Sequence, residues 1–362
     1  MPPLTTRRTA AQYGRVSDGE LNMPNSIALV GLDIAKSVFQ VHAADKEGRP
    51  VARSKLKRDE VVGFFRNLAP CIVGLEACPG GHYWARIIRN FGHDVRLLPP
   101  QYVRPFVKTN KNDAADAEAI SEAMVRPTMR FVPIKEEKQQ EVLVVHRVRE
   151  LLIRQRTQLI NVIRGLLAEF GIVGPNRAHN IGLLTVMIED ETDASIAPLL
   201  RSSLRHLVTQ LREIKTKLVE IEQKLAVVAR EVEACRRLTT IPGVGVITAT
   251  ALIASIRDPA DFKSGRHFAA WLGLVPRQNS TGGVDKLGGI SKRGDGYLRR
   301  LLIHGGRSVM RWRGRSWTWL ARLRDRRPAN VAVVALANKT ARIVWALLRH
   351  GGVYGAPQQQ AA

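Results

Sequence analysis

Cysteine is scarce in this chain of 362 residues, where Cys71, Cys78 and Cys235 form no CxxC pair and no zinc-binding spacing. Such sparse and unpaired usage favours a protein of the reducing cytoplasm. The chain also lacks an unbroken apolar run of about 18 residues, which excludes a membrane-spanning protein. Residues 1–26 contain no apolar segment of the secretory type, so the sequence predicts no export signal.

Acidic residues are also few: the chain contains 32 Asp and Glu but 56 Lys and Arg, which gives a formal net charge of +24. The composition as a whole, 45% hydrophobic and 24% charged, is that of a globular protein rather than a disordered one. A positive surplus of this size causes costly self-repulsion unless an anionic polymer neutralises it. We therefore expect nucleic acid to be the partner.

The length predicts two or three domains, and the patterning divides the chain into five regions. Residues 1–26 are polar and aperiodic and predict a disordered arm, and residues 352–362 predict a disordered tail. Residues 27–130 predict strands and helices in the order βββαβαβα, an α/β layer that begins with an antiparallel hairpin. Residues 131–237 predict a helical region, and residues 238–351 predict a mainly helical C-terminal domain.

Two apolar seams with steps of three and four residues run through the helical region. The first comprises Val145, Val148, Leu152, Gln155, Leu159, Val162 and Leu166, and the second comprises Leu204, Leu207, Leu211, Ile214, Leu218, Ile221, Leu225, Val228, Val232 and Cys235. The second seam favours a coiled coil, with two helices of one small bundle as the alternative. Residues 171–198 contain glycine, proline and an acidic run, and predict a hinge or loop.

Four acidic residues need an explanation in so basic a chain. Asp33 and Glu76 each end an apolar strand, and Asp113 and Asp116 lie three residues apart, on one face of a predicted helix. Converging carboxylates repel one another and are costly to bury, and hard divalent cations such as Mg²⁺ remove both problems. Two such ions about 4 Å apart can clamp the oxygens of phosphoryl transfer. Taken singly, Asp113 can cap a helix, Asp116 can pair with a cation and Glu76 can be a turn residue.

Two features of the C-terminal domain predict contact with nucleic acid. Gly243 and Gly245, in a segment flanked by helices, have the pattern of a helix-hairpin-helix motif, in which backbone amides approach a phosphate closely. Residues 291–327 carry twelve basic residues against two acidic ones, with three tryptophans interleaved. Such a surface can bind the nucleic-acid backbone and stack on bases.

Six short motifs carry a family resemblance. They are residues 31–36 (GLDIAK), 74–77 (GLEA), 111–117 (KNDAADA), 241–245 (IPGVG), 268–277 (FAAWLGLVPR) and 287–294 (LGGISKRG). Together they resemble the motifs of the DEDD transposases of bacterial insertion sequences, which are related to pilin-gene invertases. The resemblance runs from about residue 27 to about residue 351, and the combination of its two halves is highly specific.

For the first half of the chain, the resemblance implies a RuvC-like, ribonuclease-H-type catalytic domain over residues 27–130. Asp33, Glu76, Asp113 and Asp116 would be its catalytic residues and would bind Mg²⁺ or Mn²⁺.

For the second half, the resemblance implies a serine-bearing transposase domain with a helix-hairpin-helix, whose loop serine attacks DNA and forms a covalent phosphoserine link. Counting back from the Ser291 motif places this serine at Ser280 rather than at Thr281 or Ser291. Arg277 and Lys292 are the candidates for stabilising the developing phosphate charge. Arg293, Arg299 and Arg300 complete the predicted nucleic-acid-binding set.

The partners implied are the DNA of the element ends and of the target, a structured guide RNA encoded by the element, and further copies of the chain, as a dimer or as a tetramer on DNA. No membrane partner is expected, and the location would be the bacterial cytoplasm, at the nucleoid. A metal-dependent junction-resolving nuclease, which needs the four acids but not Ser280, is one alternative. A non-catalytic nucleic-acid-binding protein, which needs neither, is the other.

Overall fold

The computed structural model describes residues 27–107, 113–175, 180–313 and 317–355. Of Asp113 and Arg313 it describes the backbone alone. The predicted arm and most of the predicted tail lie outside these ranges. The chain divides between Glu136 and Glu137 into two units, each with its own hydrophobic core.

The first unit is built on one five-stranded sheet. Its elements are β1 Leu29–Asp33, β2 Val38–Ala44, β3 Pro50–Lys57, α1 Glu60–Asn67, β4 Ile72–Glu76, α2 Gly81–Arg89, β5 Asp94–Leu98, α3 Pro100–Val103 and α4 Asp113–Met124. The strand order is β3-β2-β1-β4-β5, with β2 antiparallel to both its neighbours and β4 parallel to both of its own. The predicted α/β layer with a leading antiparallel hairpin is confirmed.

The two faces of this sheet are covered differently. Alternate residues of β1 and β4, such as Leu32 and Leu75, are fully buried in a core with the apolar side chains of α1 and α2. The opposite face is covered by α4, which approaches so closely that β1 and β4 carry glycines beneath it. A Cβ added at Gly31 would lie 2.1 Å from the Ala117 carbonyl oxygen, and one at Gly74 would lie 2.7 Å from the Met124 sulfur.

The second unit is mainly helical. Its elements are α5 Glu137–Ala168, α6 Ile181–Glu189, α7 Pro198–Glu231, α8 Glu233–Thr239, α9 Val246–Ser255, α10 Gly265–Trp271, β6 Pro276–Gln278, β7 Leu287–Ile290, α11 Gly296–Arg313, α12 Thr318–Arg326 and α13 Ala329–His350. The strands β6 and β7 pair as a small antiparallel hairpin. This hairpin spans the segment in which the sequence predicts the reactive serine.

The long helices α5 and α7 pack side by side in opposite directions. Leu167 near the end of α5 shares a core with Leu204 near the start of α7, while Arg149 near the start of α5 bonds Glu222 near the end of α7 at 2.7 Å. The predicted loop over residues 171–198 is wrong in part, because it contains α6. The apolar side of α6 joins the same core, a role that the neighbouring glycines and acids obscured in the sequence.

The two predicted seams differ in outcome. Of the ten positions of the second seam, six are buried and four are half-buried, so this face was correctly predicted. Only the first eight lie on α7, which ends at Glu231; the backbone is extended at Val232, and Cys235 lies on α8. On α5, the seam is shifted: Val148 and Val162 are exposed, whereas Ile163 is fully buried. Apolar side chains lie on two adjacent faces of α5, so the spacing of apolar residues alone did not identify the buried face.

The C-terminal core is organised around α13. By length and composition this helix could cross a membrane. One of its sides is instead buried against α8, α10 and α11, and includes Ala337, Ala341 and Val344, each fully buried. Its apolar character is therefore accounted for by the core of this unit.

Candidate functional site

Two of the predicted acids lie side by side at the edge of the sheet of the first unit. Leu32 of β1 is paired with Leu75 of β4 in parallel register, so the next residues, Asp33 and Glu76, end neighbouring strands about 5 Å apart along the sheet. Both are half-buried. Because side chains alternate along a strand, both belong to the face covered by α4.

The direction of α4 brings its first turn towards the same edge. Ala117, near the start of α4, lies over Gly31. Met124, at the end of α4, packs in one cluster with Leu29 and Ile72, which precede Gly31 and Gly74 by two residues on β1 and β4. The helix therefore runs back along the sheet from the end that carries the acids. Asp116 of its first turn is half-buried.

Cys78 supplies an independent sign that the two acids converge. The pKa of its thiol is raised first by burial, then by the negative charge of Glu76 and, less strongly, by that of Asp33. Both carboxylates thus act electrostatically on one sulfur atom. The thiol is protonated at neutral pH and contacts the Pro79 carbonyl at 3.7 Å. Cys78 follows Glu76 by two residues in the sequence, whereas its proximity to Asp33 comes from the fold.

The donor chemistry at this edge fits a divalent metal ion. Carboxylate oxygens are hard ligands of the kind that Mg²⁺ and Mn²⁺ prefer. Within the ranges that the structure describes, no three His, Cys, Asp or Glu side chains are grouped closely enough to hold an ion. The side chain of Asp113 is outside those ranges. The full set of four acids therefore stays a prediction.

Ser280 lies on the hairpin of β6 and β7, in a compact group of polar side chains. Its hydroxyl donates to Asp285 Oδ1 at 2.6 Å, and the side-chain amide of Gln278 donates to both, at 2.9 Å to Ser280 Oγ and at 2.8 Å to Asp285 Oδ1. The hydrogen bond from Ser280, followed by that from Gln278, holds the pKa of the Asp285 carboxyl below its ordinary value. All three residues are exposed.

The sequence contained a signal for this group that our prediction did not use. Gly282 and Gly283 have φ values of +59° and +77°, and Thr281 bridges to Val284 across them. A two-residue turn with both φ positive is the turn that joins adjacent antiparallel strands, and glycine pairs are typical of it. Such a turn places Asp285 opposite Ser280.

The predicted phosphate-binding cations fall into two groups. Arg277, Lys292 and Arg293 are exposed. Arg299 donates to the Leu272 carbonyl at 3.0 Å, and Arg300 is paired with Glu150 and lies over the Tyr297 ring. The first group is available to a ligand as it stands, whereas the second is engaged within the unit.

The two glycines of the predicted hairpin motif also differ. Gly243 has a φ of +87°, and its carbonyl oxygen would lie 1.9 Å from a Cβ added at Gly305 of α11, so this glycine serves helix packing. Gly245 precedes α9, and a Cβ added there would meet nothing within 4 Å. A cleft of about 680 Å³ lies beside residues 239–245, the predicted helix-hairpin-helix segment, and is bordered by Trp312, which is 79% exposed. The free N-terminus of α9 thus faces open space.

The sheet order, with acids at the ends of adjacent parallel strands, is consistent with a ribonuclease-H-like domain, a class that acts on nucleic acids. Comparison with known families agrees. A model described as "Transposase", of the IS110 DEDD type, matches residues 30–172, and the "Transposase IS116/IS110/IS902 family" model matches residues 235–319.

Several relatives match nearly the whole chain. It is 49% identical to a "Probable family 20 transposase" of Pseudomonas aeruginosa, over 91% of this chain and 99% of that one. It is 42% identical to the "Transposase for insertion sequence element IS1328" of Yersinia enterocolitica, over 92% of this chain and 99% of that one. A "Pilin gene-inverting protein" of Moraxella bovis is 37% identical over 18% of this chain and 21% of its own. The chain belongs to the IS110/IS116 family of transposases and acts on DNA.

Proposed function

We propose that this transposase cuts and rejoins the DNA of its own insertion sequence through two sets of residues. Asp33, Glu76, Asp113 and Asp116 bind Mg²⁺ or Mn²⁺, and Ser280 attacks a DNA phosphate and becomes covalently linked to it. The observation that carries the proposal is the position of Asp33 and Glu76 at the ends of adjacent parallel strands, one residue beyond the paired Leu32 and Leu75.

The acids serve to hold the metal and to orient the DNA phosphate beside it. When bound, the metal supplies positive charge that favours the negative charge of a transferring phosphate. Arg277 and Lys292, both exposed and within the segment that carries Ser280, are the candidates for supporting the charge of the phosphate that Ser280 attacks.

Several finer features belong to the proposal. The net charge of +24 suits binding to DNA and to a structured guide RNA encoded by the element. The open N-terminus of α9 suits a helix-hairpin-helix contact with a phosphate. The exposed apolar side chains Val144, Val148 and Leu151 of α5 suit coiled-coil pairing between copies of the chain, as a dimer or as a tetramer on DNA. A cytoplasmic location at the nucleoid completes the proposal.

Ser280 is tested with the full chain, Mg²⁺, the RNA transcribed from the element and a labelled duplex that spans an element end. Wild type should leave a covalent protein–DNA band on a denaturing gel. Ser280→Ala should abolish both the band and strand exchange, while its stability changes by less than about 0.5 kcal/mol because the residue is exposed. Thr281→Ala and Ser291→Ala are the matched controls and should keep both activities.

A band that survives in Ser280→Ala and disappears in Thr281→Ala or Ser291→Ala would move the nucleophile to that residue. Strand cleavage by wild type without any covalent band would favour the junction-resolving nuclease instead.

The acids are tested in the same assay with Asp33→Asn. Cleavage should be lost, whereas DNA binding should be nearly unchanged, because binding depends on the cationic surface. Asp94→Asn is the control: it removes the same charge from the same sheet, at the start of β5, where Asp94 pairs with Arg96. Asp94→Asn should cleave normally. Equal cleavage by Asp33→Asn and wild type would refute the acidic site. DNA binding without cleavage by the wild type itself would leave the binding protein as the function.

A further inference from the structure

The hydrogen bonds around Ser280 fix the direction of its hydroxyl hydrogen. An ionised carboxylate only accepts hydrogen bonds, so the hydrogen of Ser280 points to Asp285 Oδ1, 2.6 Å away. The amide of Gln278 donates to Ser280 Oγ and occupies one of its two lone pairs. The second lone pair of Ser280 Oγ is left for an electrophile that approaches from solvent.

This arrangement is fixed by the backbone rather than by chance contact of mobile side chains. The turn at Gly282 and Gly283 places Ser280 and Asp285 directly opposite each other, and Asn279 donates its amide to the Lys286 carbonyl at 2.9 Å one step further along the hairpin. Cross-strand neighbours in such a hairpin stay within contact distance.

We propose that Asp285 is the general base that takes the proton of Ser280, and that Gln278 is a positioning residue for both. The proposal rests on the proposed role of Ser280 as the nucleophile. The proton of Ser280 Oγ moves to Asp285 Oδ1 while Oγ forms a bond to the DNA phosphorus. The bond from that phosphorus to one deoxyribose oxygen breaks, and this oxygen leaves as a hydroxyl after taking a proton from water.

The charge state of Asp285 supports this role. Its pKa is held below the ordinary range of an aspartate by the hydrogen bonds of Ser280 and Gln278, so the carboxylate is ionised at neutral pH. A lowered pKa also makes the carboxylate a weaker base. The role therefore rests on the 2.6 Å hydrogen bond along which the proton moves. A carboxylate near a phosphate is repelled by it, and the neighbouring cations Arg277 and Lys286 offset that repulsion. A positioned base typically raises the rate of such a step about 100-fold to 10,000-fold.

The test measures the single-turnover rate of covalent adduct formation by the full chain, in the assay described for Ser280. Asp285→Asn keeps an oxygen that accepts from Ser280 and Gln278 but cannot take up a proton. We expect Asp285→Asn and Asp285→Ala to be slowed equally, by at least about 100-fold, with DNA binding no weaker than in wild type. Asp285→Glu should recover part of the rate lost in Asp285→Asn. Glu169→Gln, which removes one exposed negative charge from the end of α5, should react at the wild-type rate.

The outcomes separate this inference from the function on which it rests. A wild-type rate of adduct formation in Asp285→Asn would overturn the role of Asp285 as the base, whether or not Asp285→Ala is slower. Asp285 would then at most help to shape the β6–β7 hairpin. An adduct that persists in Ser280→Ala would instead remove the proposed nucleophile, whatever the Asp285 variants do.

Discussion

Acid should destabilise the second unit through one histidine, His146 of α5, which is only 2% exposed. Its Nε2 lies 3.1 Å from the Thr250 hydroxyl, which itself donates to the Val246 carbonyl at 2.8 Å and so accepts from Nε2–H. Its Nδ1 accepts from the Tyr297 hydroxyl at 2.9 Å. The neutral imidazole therefore satisfies both ring nitrogens. A second proton, on Nδ1, would require the Tyr297 hydroxyl to give up this hydrogen bond and turn its own hydrogen elsewhere.

The size of the effect follows from the pKa of His146. Burial, and to a lesser degree the charge of Arg149, lowers this pKa from 6.5 to about 4. As the pH falls below 6.5 the unfolded chain takes up the proton first, so the free energy of unfolding decreases until the folded histidine also titrates near pH 4. Between pH 7.5 and pH 4.5 this linkage removes about 2.5 kcal/mol of stability.

Urea unfolding followed by tryptophan fluorescence measures this loss, because five of the six tryptophans lie in the second unit and only Trp84 lies in the first. His146→Gln lacks the titrating group, so the difference in unfolding free energy between wild type and His146→Gln should narrow by about 2.5 kcal/mol from pH 7.5 to pH 4.5. The exposed His304→Gln on α11 is the control and should keep the wild-type dependence. A difference between wild type and His146→Gln that stays constant with pH would refute the reasoning.

Substitutions at Gly305 and Gly245 test the packing of α11 and the predicted helix-hairpin-helix contact, respectively. Gly305→Ala places a Cβ 1.9 Å from the Gly243 carbonyl oxygen and should cost at least about 2 kcal/mol in urea unfolding, whereas Gly165→Ala, which meets nothing within 4 Å on α5, should stabilise by about 0.5–1 kcal/mol. Equal stability of the two variants would contradict the close contact. Gly245→Asp and Gly245→Asn should both keep or raise stability as caps of α9, yet only the aspartate should weaken DNA binding in a gel-shift titration. Equal binding by the two would argue against a phosphate at this helix end.

The sheet and its acids were predictable because their signals are local. The strands β1 and β4 are short apolar runs, and parallel strands that share a register bring their last residues to one edge. Asp33 and Glu76 could therefore be placed together from the sequence, and the structure sets them in adjacent strands. The close approach of α4 was not predictable, since it is recorded only in Gly31 and Gly74, which read in the sequence as ordinary strand residues.

The helical unit shows where spacing is insufficient. A heptad seam identifies the buried face of α7 because most of the rest of that helix is polar. On α5 two apolar stripes lie next to each other, and the choice between Val162 and Ile163 depends on the partner helices α6 and α7. One of those partners lay in a segment that turn-forming residues made look irregular. The buried side of a helix is thus predictable only when its partners are.

Charge is the clearest example of a signal that predicts the partner but not the residues. Arg299 and Arg300 are adjacent in the sequence and equally basic, yet they differ in what a phosphate would have to displace. Arg300 pairs with Glu150 in a partly exposed ion pair, which is worth at most about 1 kcal/mol, so phosphate can replace the carboxylate at little cost. Arg299 is half-buried and donates to the Leu272 carbonyl, and leaving a buried acceptor unpaired costs about 1–3 kcal/mol. We therefore propose that Arg300 joins Arg277, Lys292 and Arg293 on a DNA-binding surface, whereas Arg299 holds α11 against the end of α10.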